Sequence, residues 1–138
     1  MLNSEAYTKP LPQIDHLNRP FWENAKAGRL VLQTCSQCGH ASYPPNPVCP
    51  KCLCSELEWR EASGRGSLKS WVVFHRAYWP AFEKDLPYTV CLVRLDEGPL
   101  FVATFAKDMK AEPQVGARVR VVFEPVTEDV TLPQFTLD

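Results

Sequence analysis

The sequence has no apolar run longer than four residues, of which Val90-Cys91-Leu92-Val93 is typical. A bilayer-spanning helix needs about 18 or more, so the pattern excludes one. No surplus of either charge is present, since 15 Lys and Arg meet 16 Asp and Glu for a net charge of −1. That balance gives no general attraction to a phosphate backbone or an anionic lipid surface. The opening residues carry no basic-then-apolar leader, so the chain is expected to be cytoplasmic rather than secreted. Histidine is scarce, with only His16, His40 and His75. Neither G-x-S-x-G nor H-E-x-x-H occurs, and the carboxylates are scattered singly or in turns. Candidates for acid–base or nucleophilic catalysis are therefore thin, and no catalytic residue is assigned. No internal repeat or low-complexity tract appears.

Proline and cysteine are what the sequence has in quantity. Thirteen prolines in 138 residues disfavour a helical bundle and favour loops and short strands. Residues 1–13 are polar and read as an extended arm, ordered only where it lies on something. A single helix follows. Asp15 or Asn18 can cap it, Pro20 suits its first turn, Phe21, Trp22 and Ala25 make one apolar stripe, and Gly28 stands where a left-handed cap belongs. The stripe can pack on the domain or face a partner. Leu30 to Gln33 then reads as a strand running into Cys35, and Leu57 to Glu61 as its return. Between them Pro44, Pro45, Pro47 and Pro50 make a stiff, non-repetitive link.

Ser63-Gly64-Arg65-Gly66-Ser67 is the clearest boundary in the chain and reads as a linker turn, although exposed N–H groups there could also meet a phosphate. Beyond it strands are expected over Leu68–Ala77, Tyr88–Leu95, Leu100–Ala106 and Arg118–Glu124, with a short edge segment at Leu132–Phe135 where Pro133 cannot donate to a central ladder. Only Asp108–Glu112 could hold a further helical turn. Five strands in so short a span suit a small Greek-key barrel of the OB type, with an SH3-like barrel or a small sandwich as alternatives. The expected division is an arm and helix at 1–29, a metal-bound ribbon at 30–61 and a barrel at 62–138.

Cys35-x2-Cys38 and Cys49-x2-Cys52 are two knuckles ten residues apart. A C-x2-C turn aims two thiolates at one cation, and two such turns complete a tetrahedron of soft ligands suited to Zn²⁺. The segment from Gln33 to Trp59 is too short to bury a core of its own, so metal must supply much of its folding free energy. Four thiolate ligands close the coordination sphere, which makes the ion structural rather than catalytic. A rubredoxin-like iron remains chemically possible. Haem attachment fails because Gly39 intervenes before His40, and a thioredoxin-type pair lacks its βαβ context. Cys54 and His40 are weaker candidate ligands, and Cys91 reads as an inert core thiol. Zinc bound by four thiolates lowers the charge of the loaded chain to about −3.

Arg60, Arg65, Lys69 and Arg76 form the only local basic group in the sequence. It could serve one small polyphosphate; a long nucleic acid would want more. Tyr78-Trp79-Pro80-Ala81-Phe82 places three aromatics in a connection. They either fold back over the barrel mouth or meet a partner chain or an apolar ligand.

The order of these elements resembles a known family. The features are the Phe21-Trp22 helix, Gly28-Arg29-Leu30, Cys35-x2-Cys38-Gly39, Tyr43-Pro44-Pro45, Cys49-Pro50-x-Cys52, Trp59, Ser63-Gly64-Arg65-Gly66, Pro87-Tyr88, Leu95-Asp96-Glu97-Gly98 and Leu132-Pro133-x-Phe135. Together they resemble the DUF35 family, small proteins with a rubredoxin-like zinc ribbon followed by an OB-fold. Known members accompany thiolase-superfamily enzymes, or MaoC-like hydratases, that act on acyl-CoA. The resemblance implies a non-catalytic zinc subunit that docks a thiolase-like chain and helps form an acyl-CoA site. The partner would supply the nucleophilic cysteine and the histidine base. On that reading Arg65, Lys69 and Arg76 are candidates for CoA phosphates, and Trp79 and Phe82 for partner or acyl contacts. The rival readings are a single-stranded nucleic-acid-binding module and a freestanding acyl-CoA-binding protein.

Overall fold

The computed structural model describes residues 7–109 and 111–138. It is mostly β, with one short helix, a three-stranded ribbon and a nearly closed five-stranded barrel. The first six residues of the expected arm lie outside the described residues. Residues 7–13 form neither helix nor strand and bend at Lys9, and they do lie on something: Lys9 pairs with Asp85 and sits 5.2 Å over the Phe82 ring.

Helix α1 spans Arg19–Lys26. Asn18 takes the cap position without a side-chain cap bond, while the Asp15 carboxylate accepts from the N–H groups of Leu17 and Asn18. The helix ends in a Schellman arrangement, Gly28 N–H to Ala25 and Arg29 N–H to Asn24. Phe21 and Ala25 are buried, so the stripe faces inward.

Strands β1 (Val31–Cys35), β2 (Ala41–Ser42) and β3 (Leu57–Glu61) form the ribbon, in the order β2-β1-β3. The central strand β1 is buried along its whole length. The two-residue β2 falls in the stretch expected to be non-repetitive; Thr34 and Gln33 of β1 recruit it as partner to Ala41 and Ser42.

The barrel comprises β4 (Arg65–Phe74), β5 (Tyr88–Leu95), β6 (Leu100–Thr104), β7 (Arg118–Pro125) and β8 (Thr131–Leu137), ordered β6-β5-β4-β7-β8. A bridge from Phe105 to Phe135 draws the first and last strands together. Three expectations change here. β4 begins at Arg65, inside the expected linker turn, and ends at Phe74 rather than Ala77. The reason is steric. A Cβ at Gly66 would lie 2.4 Å from the Arg94 carbonyl oxygen, so this glycine lets two strands approach rather than loosening a linker. β8 runs seven residues, because its edge position leaves Pro133 no ladder bond to donate while its neighbours still pair with β7. Asp108–Glu112 is not helical at its described residues; the Met109 N–H closes a turn onto Ala106.

Ribbon, helix and barrel share one core. Tyr43 of the ribbon stacks on Phe101 of β6 at 4.2 Å between centroids. Phe21 of α1 lies 5.5 Å from Tyr43 and 6.3 Å from Phe101. Phe135 of β8 meets Phe101 edge-on at 5.8 Å. Leu68, Val93, Leu95 and Val119 complete the barrel interior. The metal-bound ribbon is thereby held at a fixed orientation to the barrel.

Candidate metal centre and binding surfaces

The two knuckles are the same turn written twice. Gly39 N–H donates to the Cys35 carbonyl and Leu53 N–H to the Cys49 carbonyl, each at 2.9 Å. Cys35 N–H donates to His40 and Cys49 N–H to Cys54. The fifth residue of each turn needs a left-handed backbone, which Gly39 adopts at φ 77° and Leu53 at φ 65°. Glycine meets that demand at no steric cost; leucine does not.

These turns bring the sulfurs of Cys35, Cys38, Cys49 and Cys52 within 4.8 Å of one another. Cys35 and Cys52 approach to 3.5 Å and Cys38 and Cys49 to 3.6 Å. Sulfurs around a tetrahedral zinc with bonds of about 2.3 Å stand about 3.8 Å apart, so the set fits. Cys35 and Cys49 are buried and Cys38 and Cys52 face outward. Backbone N–H groups support the anionic sulfurs: that of Cys38 points at Cys35, and that of Lys51 at Cys49. The Cys38 N–H is the main cause that holds the Cys35 thiol down to about 6, and the Cys52 N–H holds Cys49 low. At Cys52 the Cys54 N–H pulls the same way, but desolvation and the three neighbouring sulfurs outweigh it and push the thiol up to about 12. A cluster that resists accumulating negative charge in this way is one that a divalent cation completes. Zinc here is structural: four cysteines use all four positions and leave no open one for chemistry.

The other candidates fall outside this centre. Cys54 Sγ accepts from the Glu56 N–H instead. His40 contributes only its carbonyl, to Cys35. Cys91 is 1% exposed, donates to the Ala103 carbonyl, and burial pushes its thiol up to about 11, so it is inert. His75 lies exposed just beyond the end of β4.

The basic group is not brought together. Arg65 opens β4 and Arg76 follows its far end, roughly 30 Å away at strand spacing. Lys69 sits at the β-bulge between them. Arg65 lies 3.8 Å from Asp138, Arg60 pairs with Glu58, and Arg76 covers the Tyr78 ring at 5.3 Å. The aromatic connection divides. Pro80–Asp85 winds into a 3-10 turn that folds Phe82 back to 5.3 Å from Tyr88, which itself stacks on Phe74 at 5.0 Å. Tyr78 and Trp79 stay exposed, at 70% and 51%.

Sequence reasoning missed three features. Leu53 carries the left-handed turn, and only the repeat of the knuckle pattern four residues on from each first cysteine could have revealed it. Tyr43 joins ribbon to barrel, a contact with no local signal. The third is an apolar outer face on the barrel. Strand register sets Leu92 beside Val102 and Val72 beside Val90, with Val72 and Val102 more than half exposed.

Comparison with known proteins decides the family. Residues 22–58 match the model described as "ChsH2, rubredoxin-like zinc ribbon domain" and residues 59–124 that described as "ChsH2, C-terminal OB-fold domain". The chain belongs to the ChsH2/DUF35 family. A DUF35 domain-containing scaffold protein of Pyrococcus furiosus is 31% identical over 120 residues, covering 87% of this chain and 84% of the relative. A probable enoyl-CoA hydratase alpha subunit of Thermomonospora curvata is 35% identical over 127 residues, or 92% of this chain, yet this chain spans only 39% of its length. Among solved structures, a chain described as "Ltp2-ChsH2(DUF35) aldolase" superposes with a TM-score of 0.80 at 35% identity, covering 92% of this chain and 98% of that one. A DUF35 protein of unknown function from Sulfolobus solfataricus shares the fold at 16% identity and a TM-score of 0.60. Among the described residues no helix is long and apolar enough to cross a membrane.

Proposed function

We propose that this member of the family is a non-catalytic accessory subunit that docks a thiolase-superfamily catalytic chain and helps form its acyl-CoA site. The observation that carries the reading is the near full-length likeness to the ChsH2(DUF35) chain of an aldolase, with scaffold and hydratase-subunit relatives beside it. The physical features agree. Residues 30–61 would act as a rigid plate fixed by zinc, residues 62–138 as the barrel, and residues 1–29 as the arm and helix that tie the two. An apolar barrel face around Val72, Val90, Leu92 and Val102, with exposed Tyr78 and Trp79 in the connection after β4, offers the kind of surface a partner chain covers. The phosphates of one CoA sit together on its nucleotide end, so Arg65 and Arg76, roughly 30 Å apart at strand spacing, would not share one CoA, and either Arg65 with Lys69 or Arg76 would serve it. Trp79, being exposed, suits a partner contact, and Phe82, folded inward, suits the acyl side.

Co-expression with a thiolase-superfamily chain tests the reading. The two are expected to co-elute in size-exclusion chromatography, and the accessory chain alone to show no thiolysis. Migration of both as separate species would overturn the proposal. Binding of an oligonucleotide at low salt would favour the nucleic-acid alternative instead.

A further inference from the structure

A cavity of about 280 Å³ lies between the N-terminal arm, the 3-10 turn and the side of the barrel, apart from the metal centre. Tyr7 of the arm, Phe82 of the turn, Tyr88 of β5, Val126, and Leu132 of β8 supply much of its apolar wall. The charged groups at its edge are already engaged. Lys9 pairs with Asp85, Lys107 stands 3.3 Å from Glu124, and Gln134 donates to the same Glu124. The two lysines and two carboxylates cancel, so a carboxylate or phosphate gains no net attraction there, and an uncharged group loses none. Tyr7 adds a neutral hydroxyl, and burial, followed by the charge of Glu124, holds its phenol still further above the ordinary value. Size narrows the ligand further. An apolar cavity of about 150 Å³ takes one benzene, so this one takes a ring together with its linking atoms.

We infer that this cavity is the binding site for the uncharged, ring-sized acyl end of a thioester. The inference deepens the acyl-CoA reading above and rests on it. The arm is then part of the site: Lys9, held by Asp85 and the face of Phe82, keeps residues 7–10 as one wall.

The test is an amide NMR titration of the zinc-loaded full chain, alone and in complex with its catalytic partner. The probe is S-benzoyl-N-acetylcysteamine, with S-acetyl-N-acetylcysteamine and benzoate as comparisons. The benzoyl thioester is expected to shift Tyr88 and Leu132 and to bind at least tenfold more tightly than either comparison. Leu132→Trp, which fills the cavity, is expected to weaken binding at least tenfold. Thr104→Trp fills it from β6 and serves if the first variant does not fold, with zinc content and amide dispersion reporting folding. Absence of shifts in both the free chain and the complex overturns the inference, as does equal binding of benzoate or unchanged binding by a folded cavity-filling variant. Co-elution uses no ligand, so a complex that forms without binding the probe overturns this inference alone. A chain that binds the probe but forms no complex overturns the docking proposal alone.

Discussion

At single residues the structure shows where a side chain is forced and where it is free. Leu53 is 72% exposed and left-handed, so it gives up backbone ease and gains no burial. Leu53→Gly is expected to stabilise the zinc-loaded chain by up to about 1 kcal/mol, the left-handed penalty less the extra freedom of glycine when unfolded. A thermal melt should then shift upward by a few degrees. Gly66 is the converse. Its missing Cβ faces a backbone carbonyl, which cannot swing aside, so Gly66→Ala is expected to cost about 3 kcal/mol in a denaturant titration. Asp96 receives two bonds from Arg118, at 2.9 and 2.7 Å, and the Arg118 hydrogen bond is the main cause that holds its carboxyl below the ordinary range. The folded-state value is depressed, so the pair stabilises the protein above the unfolded carboxyl's pKa of about 3.9 and is lost as pH falls through the folded value. Asp96→Asn is therefore expected to lower stability above pH 5, where the pair is fully formed, and to flatten the acid limb, so that denaturant titrations of the variant and the original chain converge as pH falls.

Among the elements, the aromatic joint decides how ribbon and barrel depend on each other. Tyr43 hangs from the ribbon yet packs on Phe101 inside the barrel. Tyr43→Ala is expected to cost about 2–3 kcal/mol, somewhat below a fully buried aromatic, while zinc content stays at one ion per chain. A melt paired with metal analysis checks both halves. The ribbon's chemistry and its strands were readable because each is local: a C-x2-C turn declares itself in four residues, and Leu57–Glu61 matches β3 as read. Tyr88–Leu95 was as clear, a β-rich run ending in the turn at Asp96-Glu97-Gly98. What depended on distant partners was not readable. Gly66 looked like linker because the Arg94 carbonyl that requires it is 28 residues away in sequence. The basic residues looked clustered because sequence distance along a strand hides how far a strand extends. Phe82 and Trp79 could not be told apart until the 3-10 turn sent one inward and left the other outward.

For the whole molecule, zinc acts beyond the ribbon. The loaded knuckles hold Tyr43 against Phe101 and Phe21, so removing the ion loosens the lid over one end of the barrel core. Chelation is expected to lower the melting temperature of the entire chain, not only to unfold residues 30–61, and to alter the near-ultraviolet dichroism of the buried rings. Acid should do the same by protonating the thiolates. Metal needs all four as anions, and Cys52 holds its proton well above neutrality in the ion-free chain. Binding therefore releases protons, and zinc affinity falls as pH falls. A competition titration with a chromophoric chelator between pH 8 and pH 5 is expected to show steadily weaker retention, with loss of the ring signals following loss of metal. A chain that kept its ring signals and melting temperature after complete zinc removal would show the ribbon to be an appendage. The shared core argues otherwise: the ribbon presents a partner with a surface whose orientation to the barrel is fixed only while four sulfurs hold one ion.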